Sequence, residues 1–259
     1  MTPPAIWIEN FKVHSYEVDF KGLASLEMVC RYFQEAAWNH AEALGLGFQR
    51  LAAEQKLWVL SRLLIEIERF PRWGETIQVQ TWPRAVEGPF AMRDFEFFDS
   101  AERRLVAGTS AWLVLAAANR RPQRVDKMLV NIPDTAGRRA TGRSPEKLSD
   151  QEQQPGAASA AAEIARCEMD VRHSDLDVND HVNNSRYLGW LLDSYPAGFH
   201  RQHQVRSCEV NYLGETGAGD KLLIESSPAE NSFHHHQITN PAGEIVCRAR
   251  LEWSVIDGS

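Results

Sequence analysis

Residues Ser174 to Trp190 read SDLDVNDHVNNSRYLGW. Within seven residues, Asp175, Asp177, Asn179 and His181 place two carboxylates, an amide and an imidazole at every second position, and an amphipathic segment follows at once. Drawn out as a strand, the run would point these four side chains to one face. A solvated, Asn-rich turn explains the stretch as well as a site does, and the rest of the chain has to separate the two.

Upstream, Phe11 to Phe20 alternates apolar and polar residues like a half-buried strand. Ser25 can cap a helix in which Val29, Tyr32, Phe33, Ala36, His40, Ala41 and Leu44 recur at helical spacing, with Gly45 placed to end it. Leu57 to Arg69, Thr76 to Trp82, Phe90 to Phe98 and Leu105 to Ala116 then read as antiparallel strands, with a turn at Pro71 to Gly74. Downstream of the linker the order begins again: a strand at Cys167 to Arg172, the quoted motif, and a helix from Ser185 to Ser194 capped by Asn183 or Asn184. Strands follow at Val205 to Tyr212, Lys221 to Ser226, His234 to Thr239 and Ile245 to Val255.

This is an internal duplication. Arg31-Tyr32-Phe33 matches Arg186-Tyr187-Leu188, Gly74-Glu75 matches Gly219-Asp220, and Trp112 matches Trp253, at spacings of 155, 145 and 141 residues. The pattern implies an α+β chain of two antiparallel sheets, each wrapped around a long helix. The boundaries are 1–132 for the first unit, 133–165 for an exposed linker rich in Gly, Ser, Gln, Pro, Arg and Ala, with a short helix near Ala157 to Ala165, and 166–259 for the second.

Carried back by the helix offset, Asp177, Asn179 and His181 fall opposite Gly22, Ala24 and Leu26, so one copy is polar where the other is not. A cluster needed only for folding would be expected in both. The strand match likewise sets Glu215, in NYLGETGAGD, opposite Phe70. A carboxylate, an imidazole and an amide suit attack of water on an acyl carbonyl, with a base for the water and donors for the developing oxyanion. A thiol leaving group, with a reference pKa of about 8.5, needs little general-acid help. The set is sufficient for thioester hydrolysis. Asp175 reads as a turn or cap residue.

Other chemistry lacks its signatures: there is no GxSxG elbow, phosphate loop or HExxH. Only His234 and His236 of the histidine run share a face, without an acidic or Cys partner, so neither metal nor cofactor is expected. Cys30, Cys167, Cys208 and Cys247 have no ligand or disulfide spacing, which suits a reducing compartment. A net charge of -7 disfavours nucleic acid as a partner. No apolar run approaches the roughly 20 residues of a membrane span, and a cytoplasmic protein is expected. Arg138, Arg139, Arg143 and Lys147 read as a solvated face.

SDLDVNDHVNNSRYLGWLLDS closely resembles the signature of the acyl-acyl carrier protein thioesterases of plant plastids and bacteria. LWVLSRLLIEIERFPRWGETIQVQTWP, FAMRDFEFFD and GTSAWLVLAAANRRPQRV resemble that family's segments in the same order. The resemblance implies a tandem hot-dog fold and release of free fatty acid from acyl carrier protein. Its catalytic Asp, Asn, His and Glu fall on Asp177, Asn179, His181 and Glu215. Where plant members carry a cysteine after that glutamate, this chain has Thr216, which puts a covalent cysteine route in doubt. Glu215 is then a general base or the site of a transient anhydride. The resemblance also suggests an acyl pocket in the first unit. Trp58, Leu60, Phe90 and Met92 are candidate walls that core packing explains equally, and Arg120, Arg121, Arg124 and Lys127 are a candidate dock for the acidic carrier. A homodimer is compatible with the sequence. The rival readings are an acyl-CoA thioesterase, a hot-dog dehydratase and a non-catalytic acyl-carrier-binding protein.

Overall fold

The computed structural model describes residues 3–125, 135–149, 165–228 and 232–256, and the chain divides into two compact units, Met1–Pro145 and Glu146–Ser259. The first contains β1 (Trp7–Lys12), α1 (Leu26–Ala43), α2 (Phe48–Ala53), β2 (Lys56–Ile67), β3 (Thr76–Glu87), β4 (Phe90–Phe98), β5 (Arg104–Ala116) and the short β6 (Pro122–Gln123). Its sheet runs β1-β3-β4-β5-β2, antiparallel throughout, with β6 beside β5. Ser25 caps α1 by accepting the Met28 N–H at 3.2 Å, and Gly45, at φ +68°, turns the chain out of it. The buried face of α1 lies on the sheet: the Phe33 ring stacks on Phe95 at 4.3 Å and meets Phe97 edge-on at 5.0 Å. Gly108 makes this approach possible, because a Cβ there would run into the Phe33 ring.

The second unit repeats the plan. It has β7 (Ala165–Asp170), α3 (Asn184–Asp193), α4 (Ala197–Gln202), β8 (His203–Tyr212), β9 (Lys221–Pro228), β10 (Phe233–Thr239) and β11 (Ile245–Val255), in the order β8-β11-β10-β9-β7. Matching β7 to β1, β8 to β2, β9 to β3, β10 to β4 and β11 to β5 gives the same strand order in both units. Each is a hot-dog: a sheet of five antiparallel strands around a helix. The counterpart of Gly108 by strand register is Ala249, and that of Phe33 by helix cap is Leu191; both are buried, a smaller helix residue and a larger sheet residue than in the first unit. Among the described residues no helix is long and apolar enough to cross a membrane.

Three expectations change. The first strand lies earlier, at Trp7–Lys12, and Ser15–Glu17 is a 3₁₀ turn. The short helices α2 and α4 carry too few turns for a periodic signal. Where it is described, the linker is pinned at several points, while Arg139 and Lys147 stay exposed. Arg138 pairs with Glu96 and lies 4.3 Å over the Trp82 ring, Ala140 N–H donates to Asp94 at 3.1 Å, and Thr141 bonds Thr109 at 2.6 Å. Further on, Glu146 N–H donates to Glu209 at 2.5 Å and Leu148 N–H to Asn211 at 2.9 Å. Its backbone N–H groups and Arg138 serve buried polar side chains, a role composition does not carry. Of the expected helix near Ala157 to Ala165, residues 157–164 lie outside the described residues and Ala165 begins β7.

His236, on β10, is fully enclosed between Ser226 (Nδ1 to Oγ, 2.7 Å) and Tyr195 (Nε2 to Oη, 2.9 Å). Burial, reinforced by His234 and His235, pushes its pKa down to about 3. Above its ordinary value both folded and unfolded states are neutral. Below it the unfolded chain takes up a proton that the folded one refuses, so stability falls as pH drops from 6.5 toward 3, by up to about 1.4 kcal/mol per pH unit. Urea unfolding at pH 7.5 and 5.0 should show this loss, and His236→Asn should flatten it; an unchanged pH slope in the variant would refute the assignment.

Candidate active site

The quoted stretch folds as a tight loop, not as a strand. Asp175 closes a 3₁₀ turn (His173–Asp175) and is 2% exposed. It accepts the Arg172 N–H at 2.8 Å and Arg186 Nε at 2.7 Å, while its carbonyl accepts the Asn183 N–H at 2.9 Å. It therefore fastens the loop to α3, whose cap is Asn183. Leu176 and Val182 bridge across the loop, the Asp177 N–H donates to the His181 carbonyl at 2.8 Å, and the Asp177 carboxylate accepts the Asn179 N–H at 2.8 Å. Asp180 closes the turn with a left-handed φ of +61°. The Val182 N–H then donates to the Thr216 carbonyl at 3.0 Å, and this carries His181 to Glu215. His181 Nε2 lies 3.7 Å from Glu215 Oε2, both in the second unit.

The first unit builds the same loop from different residues. The Asp19 N–H donates to the Leu23 carbonyl at 2.8 Å, Asp19 accepts the Lys21 N–H at 2.8 Å, and the Ala24 N–H donates to the Pro71 carbonyl at 2.8 Å. The structural offset is thus 158 residues, not 155: Asp177 corresponds to Asp19, Asn179 to Lys21, Asp180 to Gly22 and His181 to Leu23. The expected counterparts Gly22, Ala24 and Leu26 are corrected accordingly. Thr216 corresponds to Pro71, which keeps Glu215 opposite Phe70. The polar asymmetry therefore narrows to His181 and Glu215, opposite Leu23 and Phe70; Asn179 replaces the charged Lys21, and Asp177 shapes the turn in either copy.

The side chains of His181 and Glu215 are 37% and 46% exposed, so substrate and water can reach them. At 3.7 Å they are too far apart for a direct hydrogen bond. Asn179 is exposed on the same loop, its backbone fixed by Asp177. Thr216 is 3% exposed and its hydroxyl bonds that of Tyr187 at 2.6 Å, so it is buried and engaged. Burial pushes the Tyr187 hydroxyl far up from its ordinary pKa. Tyr187 had the sequence signal of a core helix residue and nothing more.

The proposed acyl wall divides. Register places Trp58 and Leu60 on the face shared by Ala91, Trp112 and Val114, with Trp58 Nε1 donating to the Leu46 carbonyl at 3.0 Å. Strand alternation turns Phe90 and Met92 to the opposite face, where Arg62 lies 4.7 Å over the Phe90 ring. The four do not line one pocket. Arg120, Arg121 and Arg124 are exposed around the β5–β6 turn, and Lys127 lies outside the described residues. His234 and His236 face Tyr195, and among the described residues no cluster of three ligating side chains occurs.

Profiles of the acyl-ACP thioesterase N-terminal and C-terminal domains match residues 4–132 and 158–255. A chloroplastic acyl-[acyl-carrier-protein] hydrolase of Cuphea viscosissima is 31% identical, covering 96% of this chain and 62% of its own length. A chloroplastic palmitoyl-acyl carrier protein thioesterase of Arabidopsis thaliana is 27% identical, covering 96% and 64%. The chain thus spans less than two thirds of these relatives' length. An acyl-ACP thioesterase structure from Bacteroides thetaiotaomicron superposes with a TM-score of 0.82 at 26% identity, covering 96% of this chain and 98% of its own. The 12:0-ACP thioesterase structure from Umbellularia californica gives 0.79 at 26%, covering 98% of each chain.

If Asp19 and Asp177 do the same structural work, alanine at either should cost a similar amount of stability, about 1 kcal/mol, and asparagine much less because its amide oxygen still accepts. Denaturant unfolding of the four variants checks this. A loss confined to Asp177→Ala would break the equivalence.

Proposed function

The chain belongs to the acyl-ACP thioesterase family, and from that membership we propose that it hydrolyses fatty acyl thioesters of acyl carrier protein, releasing free fatty acid and ending chain elongation. The observation that carries the reading is the approach of His181 to Glu215 at 3.7 Å, in the one unit that has polar residues at these positions. Glu215 is the general base. It takes a proton from water as the water oxygen attacks the thioester carbonyl, and His181 and Asn179 position that water and polarise the carbonyl. Collapse of the tetrahedral intermediate expels the carrier's thiolate, a leaving group with a reference pKa near 8.5 that needs little protonation. A hydroxyl nucleophile at Thr216 is disfavoured because its oxygen is buried and bonded to Tyr187.

The partner is acyl carrier protein, acidic as a class, and Arg120, Arg121 and Arg124 are the proposed dock, supported by their exposure on one turn. The cytoplasm is the proposed compartment, supported by Cys30, Cys167, Cys208 and Cys247 all being free thiols. The discriminating assay uses carrier protein loaded with C8 to C18 chains and monitors free thiol. Tight carrier binding without thiol release from any chain would favour a binding module.

His181→Ala and Glu215→Ala should each lower kcat by about 10² or more, without loss of fold, since both side chains are more than a third exposed. Near-normal turnover in Glu215→Ala would overturn its role. Charge reversal at Arg120 and Arg124 should raise KM for carrier-linked substrate more than for acyl-CoA, and equal effects on both would refute the dock.

A further inference from the structure

The loops that carry His181 and Glu215 are joined through Thr216. Its carbonyl accepts the Val182 N–H at 3.0 Å, and its hydroxyl meets the Tyr187 hydroxyl of α3 at 2.6 Å. Both side chains are buried, Thr216 at 3% and Tyr187 at 2% exposure. The first unit is an internal control. There the same carbonyl contact runs from Ala24 to Pro71, but the residues corresponding to Tyr187 and Thr216 are Val29 and Pro71, which have no hydroxyl. Val29 is fully buried, so an apolar side chain fills the place without difficulty. The first unit therefore closes this loop with backbone contacts and no hydroxyl pair, the Trp73 N–H donating to the Gly22 carbonyl at 2.9 Å beside the Ala24–Pro71 bond. The hydroxyl pair occurs only in the unit that also has His181 and Glu215.

We propose that Tyr187 and Thr216 are positioning residues that hold Glu215 opposite His181. The proposal rests on the thioesterase reading of the same site. Glu215 is half exposed, so its packing does not fix its place; its location follows from the backbone that carries it. Thr216 is the adjoining residue, and without its hydroxyl contact the segment after β8 is held to this loop by the Val182 contact. A displacement of about 1 Å between reacting groups costs up to 10²-fold in rate, so a modest loosening here is read directly in turnover. Neither hydroxyl touches substrate in this scheme.

The test uses the full chain with Thr216→Val, Thr216→Ser, Tyr187→Phe and the Val/Phe double variant. Loss of one hydrogen bond predicts kcat about 10-fold lower in T216V and in Y187F, with KM within about 2-fold. T216S should restore most of the rate, and the double variant should be no slower than either single, because the two groups act as one unit. Wild-type kcat in both single variants, or losses that multiply in the double, would overturn the proposal. Thermal unfolding identifies a variant that fails to fold, and Y187F removes the same contact from the other side. If wild-type protein releases no thiol from any acyl carrier, the thioesterase reading fails, while crystal structures of T216V and Y187F still decide the positioning. A His181–Glu215 separation wider than the 3.7 Å of the parent supports it, and an unchanged one refutes it.

Discussion

One backbone hydrogen bond organises each unit: the residue just before the helix cap donates to a carbonyl in the loop that follows the second strand of that unit. In the first it joins Ala24 to Pro71, and in the second Val182 to Thr216. Because it lies between main-chain atoms, it forms whatever side chains flank it. In the second unit the flanking His181 and Glu215 are thereby brought together, and Leu23 and Phe70 hold the corresponding places in the first. The fold delivers the proximity, and the sequence decides whether the meeting residues are apolar or can move protons.

This division explains why the site adds little to stability and does not need to. A polar contact at 3.7 Å between side chains more than a third exposed is worth little in water. The loop is held instead by contacts that take no part in chemistry: Asp175 with Arg186, the Asp177 carboxylate with the Asn179 N–H, and the Leu176–Val182 bridge. Where the first unit uses Gly22 for its left-handed residue, the second uses Asp180, a conformation that an aspartate adopts at some cost. His181 and Glu215 are thus left accessible on a frame that is fixed elsewhere.

How much of this was legible follows from what pins each register. The strand offset of 145 was read correctly, because Gly74 and Gly219 both need left-handed turns, at φ +80° and +83°, and a glycine in such a turn cannot slide. The helix offset was misread by three residues. Arg31-Tyr32 and Arg186-Tyr187 look alike, but a slip of three is nearly one helical turn, so apolar periodicity is almost unchanged by it. The caps Ser25 and Asn183 hold the true register. The error made Asp177 look unique to one copy when Asp19 makes the same bonds. Tyr187 and Thr216 stayed hidden for another reason: a buried tyrosine on a helix and a threonine after a strand are ordinary until their hydroxyls are seen to meet.

The comparison between copies also works in the opposite direction. The most conspicuous polar cluster among the described residues of the second unit is His234, His236, Tyr195 and Ser226. Register carries His234 onto Arg93 and Ser226 onto Thr81 in the first unit, where Arg93 Nη1 donates to Thr81 at 3.2 Å and to His40 Nδ1 at 3.2 Å. Arg93 can only donate, so His40 Nδ1 must accept, and its Nε2–H is left to donate to the Pro4 carbonyl at 3.0 Å. Burial and the Arg93 charge keep His40 neutral by pushing its pKa down to about 4, as burial does for His236. Both units thus have a closed polar network at the same place, made from different residues. A feature the fold maintains in both copies by unrelated means answers a need of the fold, here partners for polar groups beneath the helix. By that criterion the histidines of β10 belong to the scaffold, and catalysis is to be sought where the copies differ.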